Sequence, residues 1–299
     1  MTPATVSKPQ DAPVGEGPAA TAARPTGRVL DEAEARYMQG AKEPVTSSVL
    51  ISNSKYLNNP YYRDAFAQSA LRRVGNDLPF TYMIPAMVKA ITEVSDHAEF
   101  FRLIAEEKLK NPDFAAWVDA RRYTTYRADD LRSYVDGTLG AAIRVFLEQS
   151  GMDMEFMKPK EITSDLQYTV QRRAAVHDIE HIVTGFGPNP AGEEALALMN
   201  IVATARYLTP ALAQYFSHAN CFTSISGYSR VTHHYHGALP TFMDAMQKGI
   251  AAGLALERPL FLEEWESYLD WQLDDLAAHL GFERGPGPEW DWTSQAAMG

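Results

Sequence analysis

The chain has 299 residues, with 27 lysines and arginines against 38 aspartates and glutamates, a formal charge of −11, 45% hydrophobic residues and a single cysteine, Cys221. Charge this negative repels a phosphate backbone and argues against a sequence-independent nucleic-acid grip. A lone cysteine excludes an internal disulfide and a cysteine-ligated zinc ribbon and fits a reducing compartment. No uninterrupted apolar run approaches the ~20 residues that span a bilayer, so a soluble or peripheral protein is expected.

Residues 1–28 are Pro, Ala, Thr and Gly with almost no large apolar side chain, which predicts a disordered tail. Lys8, Arg24 and Arg28 are interspersed with Asp11, Glu16 and several prolines, unlike an Arg-rich mitochondrial presequence, and the apolar stretch of a secretory signal is missing. Beyond the tail, apolar residues recur at three and four rather than at two, and strand signals are scarce. Asn59-Pro60 opens a predicted helix to residue 74, residues 75–79 break it, and an apolar helix follows over 81–94 with Pro85 near its first turn. Helices over 97–109 and 114–118, a tyrosine-bearing connection over 121–127, and a helix over 138–149 with Leu139, Ile143 and Phe146 on one stripe come next. A methionine-rich link spans 150–160. Thr163 or Ser164 caps the most regular helix, which Gly185 stops after Thr184. A helix from Pro190 to residue 208 is apolar around most of its circumference (Leu196, Leu198, Met199, Ile201, Val202), which puts it at the centre of the core. Residues 261–280 read as a last helix with Leu262, Trp265, Leu269, Leu273, Leu276 and Leu280 on one side. The whole reads as an all-α chain: a tail and linker over 1–40, a single multi-helix domain over 41–285 and a C-terminal tail over 286–299.

The regular helix carries His177-Asp178-Ile179-Glu180-His181. Two histidines four apart project from one helical face, so both imidazoles can reach one metal ion. The Gly/Pro turn that follows can return Glu193, with eleven residues between it and His181, toward them, so the hairpin offers nitrogen and oxygen donors together. Such a set suits zinc, iron, cobalt or manganese better than calcium. Asp178 and Glu180 each lie about 80° from the middle of the histidine pair, on opposite sides, and helix geometry does not rank them. A zincin protease is disfavoured, because a glutamate base would stand directly after the first histidine, where Asp178 stands. The His-Asp pair also fits a phosphohydrolase only if another histidine precedes it closely, and the nearest upstream is His97. His233, His234 and His236 form a second dense run, read as a polar surface segment between helices because the nearest carboxylate, Asp244, is well past it; His218 reads as structural.

Gln171 to His181, Thr184-Gly185 and Gly192-Glu193 together resemble the metal signature of the coenzyme Q (ubiquinone) biosynthesis protein 4 homolog family, HDxxH followed after eleven residues by Glu. Asn59 to Asp64, Ile91 to Trp117, the Gly-x-Leu-Gly motif in Asp136-Gly137-Thr138-Leu139-Gly140 and Glu264 to Gly281, which resembles a closing helix with Trp265-Glu266 kept, are similar to the same family, so the likeness runs roughly from Tyr56 to Phe282. The resemblance, not geometry, selects Asp178 over Glu180, and it implies one divalent metal ion on His177, Asp178, His181 and Glu193. It further implies oxidative decarboxylation at ring carbon one of a polyprenylated hydroxybenzoate, or alternatively a prenyl-lipid-binding scaffold that organises other ubiquinone-biosynthesis enzymes. The expected location is cytoplasmic and peripheral on the inner membrane, or the mitochondrial matrix side in a eukaryote. Homo-oligomer formation is left open. A substrate carboxylate calls for a cation, for which Arg173, four residues before His177, and Arg206 on the next helix are the candidates. Met83, Ile84, Met87 and Val88, together with the segments around Leu139 and Met199, are the candidates to line a prenyl groove, and the helix over 81–94 is the candidate for membrane contact, since residues 78–88 carry no charge. The family pattern is departed from in the Pro/Ala/Thr tail, in the histidine-rich stretch 218–236 and around residues 254–263.

Overall fold

In the computed structural model of the chain, residues 31–40, 52, 54–78, 84–150 and 161–298 are described. The tail over 1–28 and most of the methionine-rich link lie outside them. Within residues 1–53 a short helix, α1 (Glu32–Met38), stands in what the sequence reads as linker. From residue 54 onward the chain is all-helical, and among the described residues there is no strand, only an isolated bridge between Thr138 and Gln272. No described helix is long and apolar enough to cross a membrane.

The local signals place the early helices. Beyond the four-residue α2 (Lys55–Asn58), these are α3 (Pro60–Leu71), α4 (Ile84–Val94), α5 (His97–Lys110), α6 (Pro112–Ala120) and α7 (Leu139–Ser150). Asn59, Asp96 and Asn111 cap α3, α5 and α6 by accepting from the backbone N–H groups of Tyr62, Glu99 and Phe114. The helix that carries the histidines is α8 (Asp165–Thr184), opened by Ser164 and closed by Gly185 at φ 67°. After a short loop, α9 (Pro190–Tyr207) starts on the Asn189 cap with Pro190 in its first turn. It packs against α8, α10 (Pro210–His234) and α11 (Leu239–Ala255), and Leu196 and Met199 are fully buried, as its apolar circumference predicts.

Three elements differ from the sequence reading, each for a tertiary reason. The run from His233 to His236, read as a polar segment between helices, begins instead in the last turn of the 25-residue α10, which also contains His218. This helix touches α3, α4, α5, α9 and α11, so its buried residues are spread around it and leave no single stripe for periodicity to detect. The helix expected over 261–280 is broken into 3₁₀ turns at Leu260–Leu262 and Trp265–Ser267 and a short α12 (Leu273–Leu280). Backbone groups there are spent elsewhere: the Leu139 and Gly140 N–H groups donate to the Trp271 and Leu269 carbonyls, and Leu273 N–H donates to the Gly137 carbonyl. The burial pattern survives the break, with Leu262, Trp265 and Leu276 in the core.

The third difference is the segment set apart as a C-terminal tail from residue 286. It lies on the core, with Trp290 and Trp292 buried. Gly285 and Gly287 N–H groups donate to the Thr184 and Gly185 carbonyls, and Arg284 donates to the carbonyls of Ile182 and Val183, so this segment satisfies the groups that the end of α8 leaves open. Trp290 stacks on Phe186 at 5.6 Å and donates through Nε1 to Asp244 at 3.0 Å. A Trp290→Ala variant is therefore expected to lose about 3–5 kcal/mol. At roughly 2–4 °C per kcal/mol for a domain of this size, thermal unfolding followed by circular dichroism would detect it, and an unchanged Tm would mean that the segment is dispensable.

Candidate metal centre

The hairpin of α8 and α9 brings three of the four motif residues together. Ligand atoms of His177, His181 and Glu193 lie within 4.8 Å of one another, and among the described residues this is the only such grouping of three histidine, cysteine or acidic side chains. The two Nε2 atoms are 3.1 Å apart, and Glu193 reaches His181 Nε2 at 3.2 Å and His177 Nε2 at 3.6 Å. Bonds of ~2.0–2.1 Å in tetrahedral geometry put ligand atoms ~3.3 Å apart, so these separations match the edges of a coordination polyhedron.

The orientation of His181 matches as well. Its Nδ1–H donates to the Phe186 carbonyl at 2.6 Å, which turns Nε2 toward Glu193. A metal-bound imidazole is commonly oriented by such an outer hydrogen bond. Phe186 is fixed in turn by Trp290, and Thr184 Oγ1 accepts from the Phe186 N–H. This outer support was missed in the sequence, because the Phe186 carbonyl is a backbone group whose place depends on the turn after Gly185. The electrostatics are mutual. Burial works against a charged imidazole at His177, but the hydrogen bond and charge of Glu193 outweigh it and hold the ring up at about 9. Burial likewise opposes ionisation of Glu193, yet the two histidines keep its carboxyl far below the usual carboxylate range. The donor set thus fits a divalent ion: a carboxylate already ionised and two ring nitrogens turned toward it.

The remaining candidates are placed differently. Asp178 stands outside the gathered group. Glu180 is buried and accepts from Asn200 Nδ2 of α9 at 3.0 Å, so this acidic side chain of the motif braces the helix pair instead. Glu194, next to Glu193, turns to α10 and accepts from Ser224 Oγ at 2.6 Å; burial pushes its carboxyl up to about 7. Arg206 donates through Nη1 to the carbonyls of Gly253, Leu254 and Leu256 at the end of α11. Arg173 is different: its guanidinium carbon lies 4.7 Å and 5.0 Å from the ring centres of Phe216 and Phe261, and burial lowers it to about 10, still charged at neutral pH. His233, His234 and His236 are exposed and join no cluster. His218 packs against Tyr56 with ring centres 4.1 Å apart and planes tilted by 58°, and burial lowers its imidazole to about 4, in keeping with a structural role.

The centre runs from interior to surface. The His181 side chain is 4% exposed, Glu193 16% and His177 44%, so a bound ion would be reached from the His177 side. A cavity of about 270 Å³, lined by Gly187, Asn189, Gly287 and Asp291 among others, lies at the same loop, and none of the three ligand candidates lines it.

Comparison with known proteins agrees with the motif. The family model described as coenzyme Q (ubiquinone) biosynthesis protein Coq4 matches residues 119–286, a span that holds all of α8 and α9. A crystal structure of a candidate ubiquinone biosynthesis protein from Nostoc punctiforme has the same fold, with a TM-score of 0.57 and 20% identity over 77% of this chain and 98% of that one. No curated protein matches the chain. With more than half of its length matched, the chain belongs to the coenzyme Q (ubiquinone) biosynthesis protein Coq4 family and has its role in ubiquinone biosynthesis.

Proposed function

We propose that the protein carries out a metal-dependent oxidative decarboxylation at ring carbon one of a polyprenylated hydroxybenzoate. The observation that carries this reading is the cluster of His177, His181 and Glu193 at coordination distances, open to solvent on one side. A divalent ion bound there would supply a Lewis acid for a ring oxygen or carboxylate, or a redox centre. In the net conversion the bond between the ring and the carboxyl carbon breaks, carbon dioxide leaves, and a C–O bond forms at the same ring carbon. With water as oxygen donor, two protons and two electrons are released, and an external oxidant of the dioxygen class accepts the electrons. His181 and Glu193 hold the reacting centre from the buried side, and His177 stands where the aromatic head would enter. Asp178, one residue past His177, is assigned to the same centre by the motif.

A peripheral membrane site for a prenylated lipid is part of the reading. It is supported by α4, where Ile84 and Val88 are exposed one turn apart while Lys89 sits over the Tyr61 ring at 5.0 Å. Other biosynthetic enzymes would then act on the same membrane-held intermediates. The test is mass spectrometry of quinone intermediates in a deletion strain. A ring-carboxylated prenyl intermediate is expected to accumulate, and a folded His177→Ala variant is expected to leave it in place. Full rescue by that variant would sink catalysis at this centre and favour the scaffold role.

A further inference from the structure

We infer that Arg173 recognises the ring carboxylate and thereby sets the preference of the site for a ring-carboxylated lipid over the same lipid without the carboxylate. The inference rests on the decarboxylase reading above and adds to it the residue that reads the leaving group. Arg173 is one helical turn before His177 on α8, on the same face, about 6 Å along the axis from it. Its guanidinium is laid against Phe216 of α10 and Phe261 of the Leu260–Leu262 turn, whose own rings stack at 5.4 Å. The two rings support the planar group from below and supply no acceptor.

The donors of this guanidinium are unspent. Among the described residues it makes no hydrogen bond and no ion pair, and its contacts are the two rings. The carboxyl group that acts on it electrostatically, Glu180, is bonded by Asn200 instead. The other arginines of α8 and α9 differ sharply: Arg172 is buried and donates to Glu266 and to the Glu263 carbonyl, and Arg206 donates to the end of α11. Arg173 remains partly exposed, as does His177. A half-buried cation with a free fork of N–H donors, held on aromatic faces one turn from a metal cluster, is built for a planar anion. A carboxylate on an aromatic ring fits both requirements, since its oxygens can pair with the fork while the ring approaches the metal side. Once the carboxyl is gone, the pairing is lost.

The test uses the full-length metal-loaded protein in a fixed detergent, with two probes: a geranyl-substituted para-hydroxybenzoate and the geranylphenol that lacks its carboxylate. Calorimetric titration of the wild type is expected to give about a 10- to 100-fold preference for the carboxylate. Arg173→Gln should bind both probes alike, with geranylphenol affinity unchanged, and Arg173→Lys should recover part of the preference. Metal content and Tm of each variant are measured alongside. An Arg173→Gln protein that keeps the wild-type preference would overturn the assignment of Arg173 and leave the decarboxylase reading standing. Equal binding of both probes by the wild type would remove carboxylate recognition from the site altogether, and binding of neither would overturn the aromatic-lipid reading and the assignment with it.

Discussion

A His181→Ala variant is expected to purify with no bound metal, whereas wild-type protein made without a histidine tag should carry about one ion per chain by elemental analysis. His181 is the innermost of the three gathered groups, its side chain is 4% exposed, and both ring nitrogens are committed: Nδ1 to the Phe186 carbonyl at 2.6 Å and Nε2 to the cluster. Loss of outer partners alone commonly weakens metal binding about 10- to 100-fold. Removing a ligand should therefore exceed that range. The variant would also leave Glu193 short of a partner in a largely buried place, at a cost of up to about 3–5 kcal/mol. His177→Ala separates the two effects, since its side chain is 44% exposed and its removal should cost less stability for a similar loss of metal. Chelation of the wild type gives an independent reading. An ion present at 100 times its Kd stabilises by about 2.7 kcal/mol, so stripping it should lower Tm by about 5–11 °C. A His181→Ala protein with full metal occupancy would return the histidines to a structural role.

What the sequence revealed of this molecule follows from how local each signal is. The α8–α9 hairpin was readable because its instructions are all within it: the Ser164 cap, Gly185 at the end of α8, Pro190 at the start of α9, and histidines one turn apart. The spacing to Glu193 was readable for the same reason. The choice between Asp178 and Glu180 was not, since each stands at a similar angle from the histidine pair, and only the position of Asn200 on the opposing helix takes Glu180 out of contention. Asp178 rests on the family motif, as the gathered group does not contain it. The same contrast separates α9 from α10. Both are buried, but α9 is apolar enough to declare it, whereas α10 carries Ser, Thr and Asn along its length and makes its contacts on several sides. At 261–280 the apolar spacing was correct about burial and misleading about conformation, because hydrogen bonds from residues 137–140 compete for the backbone. Arg173 shows the limit most clearly: the sequence put it on the face of His177, but its unspent donors come from what Phe216 and Phe261, 43 and 88 residues further on, fail to offer.

Gly192→Ala is expected to cost both stability and metal affinity, although intrinsic helix propensity alone predicts a gain of about 0.8–1.0 kcal/mol for that change. Gly192 is in the first turn of α9, its N–H bonded to the Asn189 cap at 2.8 Å. A β-carbon there would collide with the Gly187 carbonyl oxygen and stand 2.7 Å from the Gly187 nitrogen. Both obstacles are backbone, so no rotamer change relieves them, and the loop of residues 185–189 must move away from α9. That loop holds the Phe186 carbonyl on which His181 is oriented, and the next residue in the helix is Glu193. Overpacking of this kind costs about 1–3 kcal/mol, and a metal centre loosened by about 1 Å loses its geometry. We therefore expect Tm to fall by several degrees and metal affinity to fall at least about tenfold. Gly227→Ala in α10 is the control: its β-carbon would come no nearer than 3.4 Å to the Glu194 and Phe242 side chains, so the neighbours need hardly move. If Gly192→Ala matches Gly227→Ala in both Tm and metal titration, the close approach of α9 to the loop is not what holds Glu193 against the histidines.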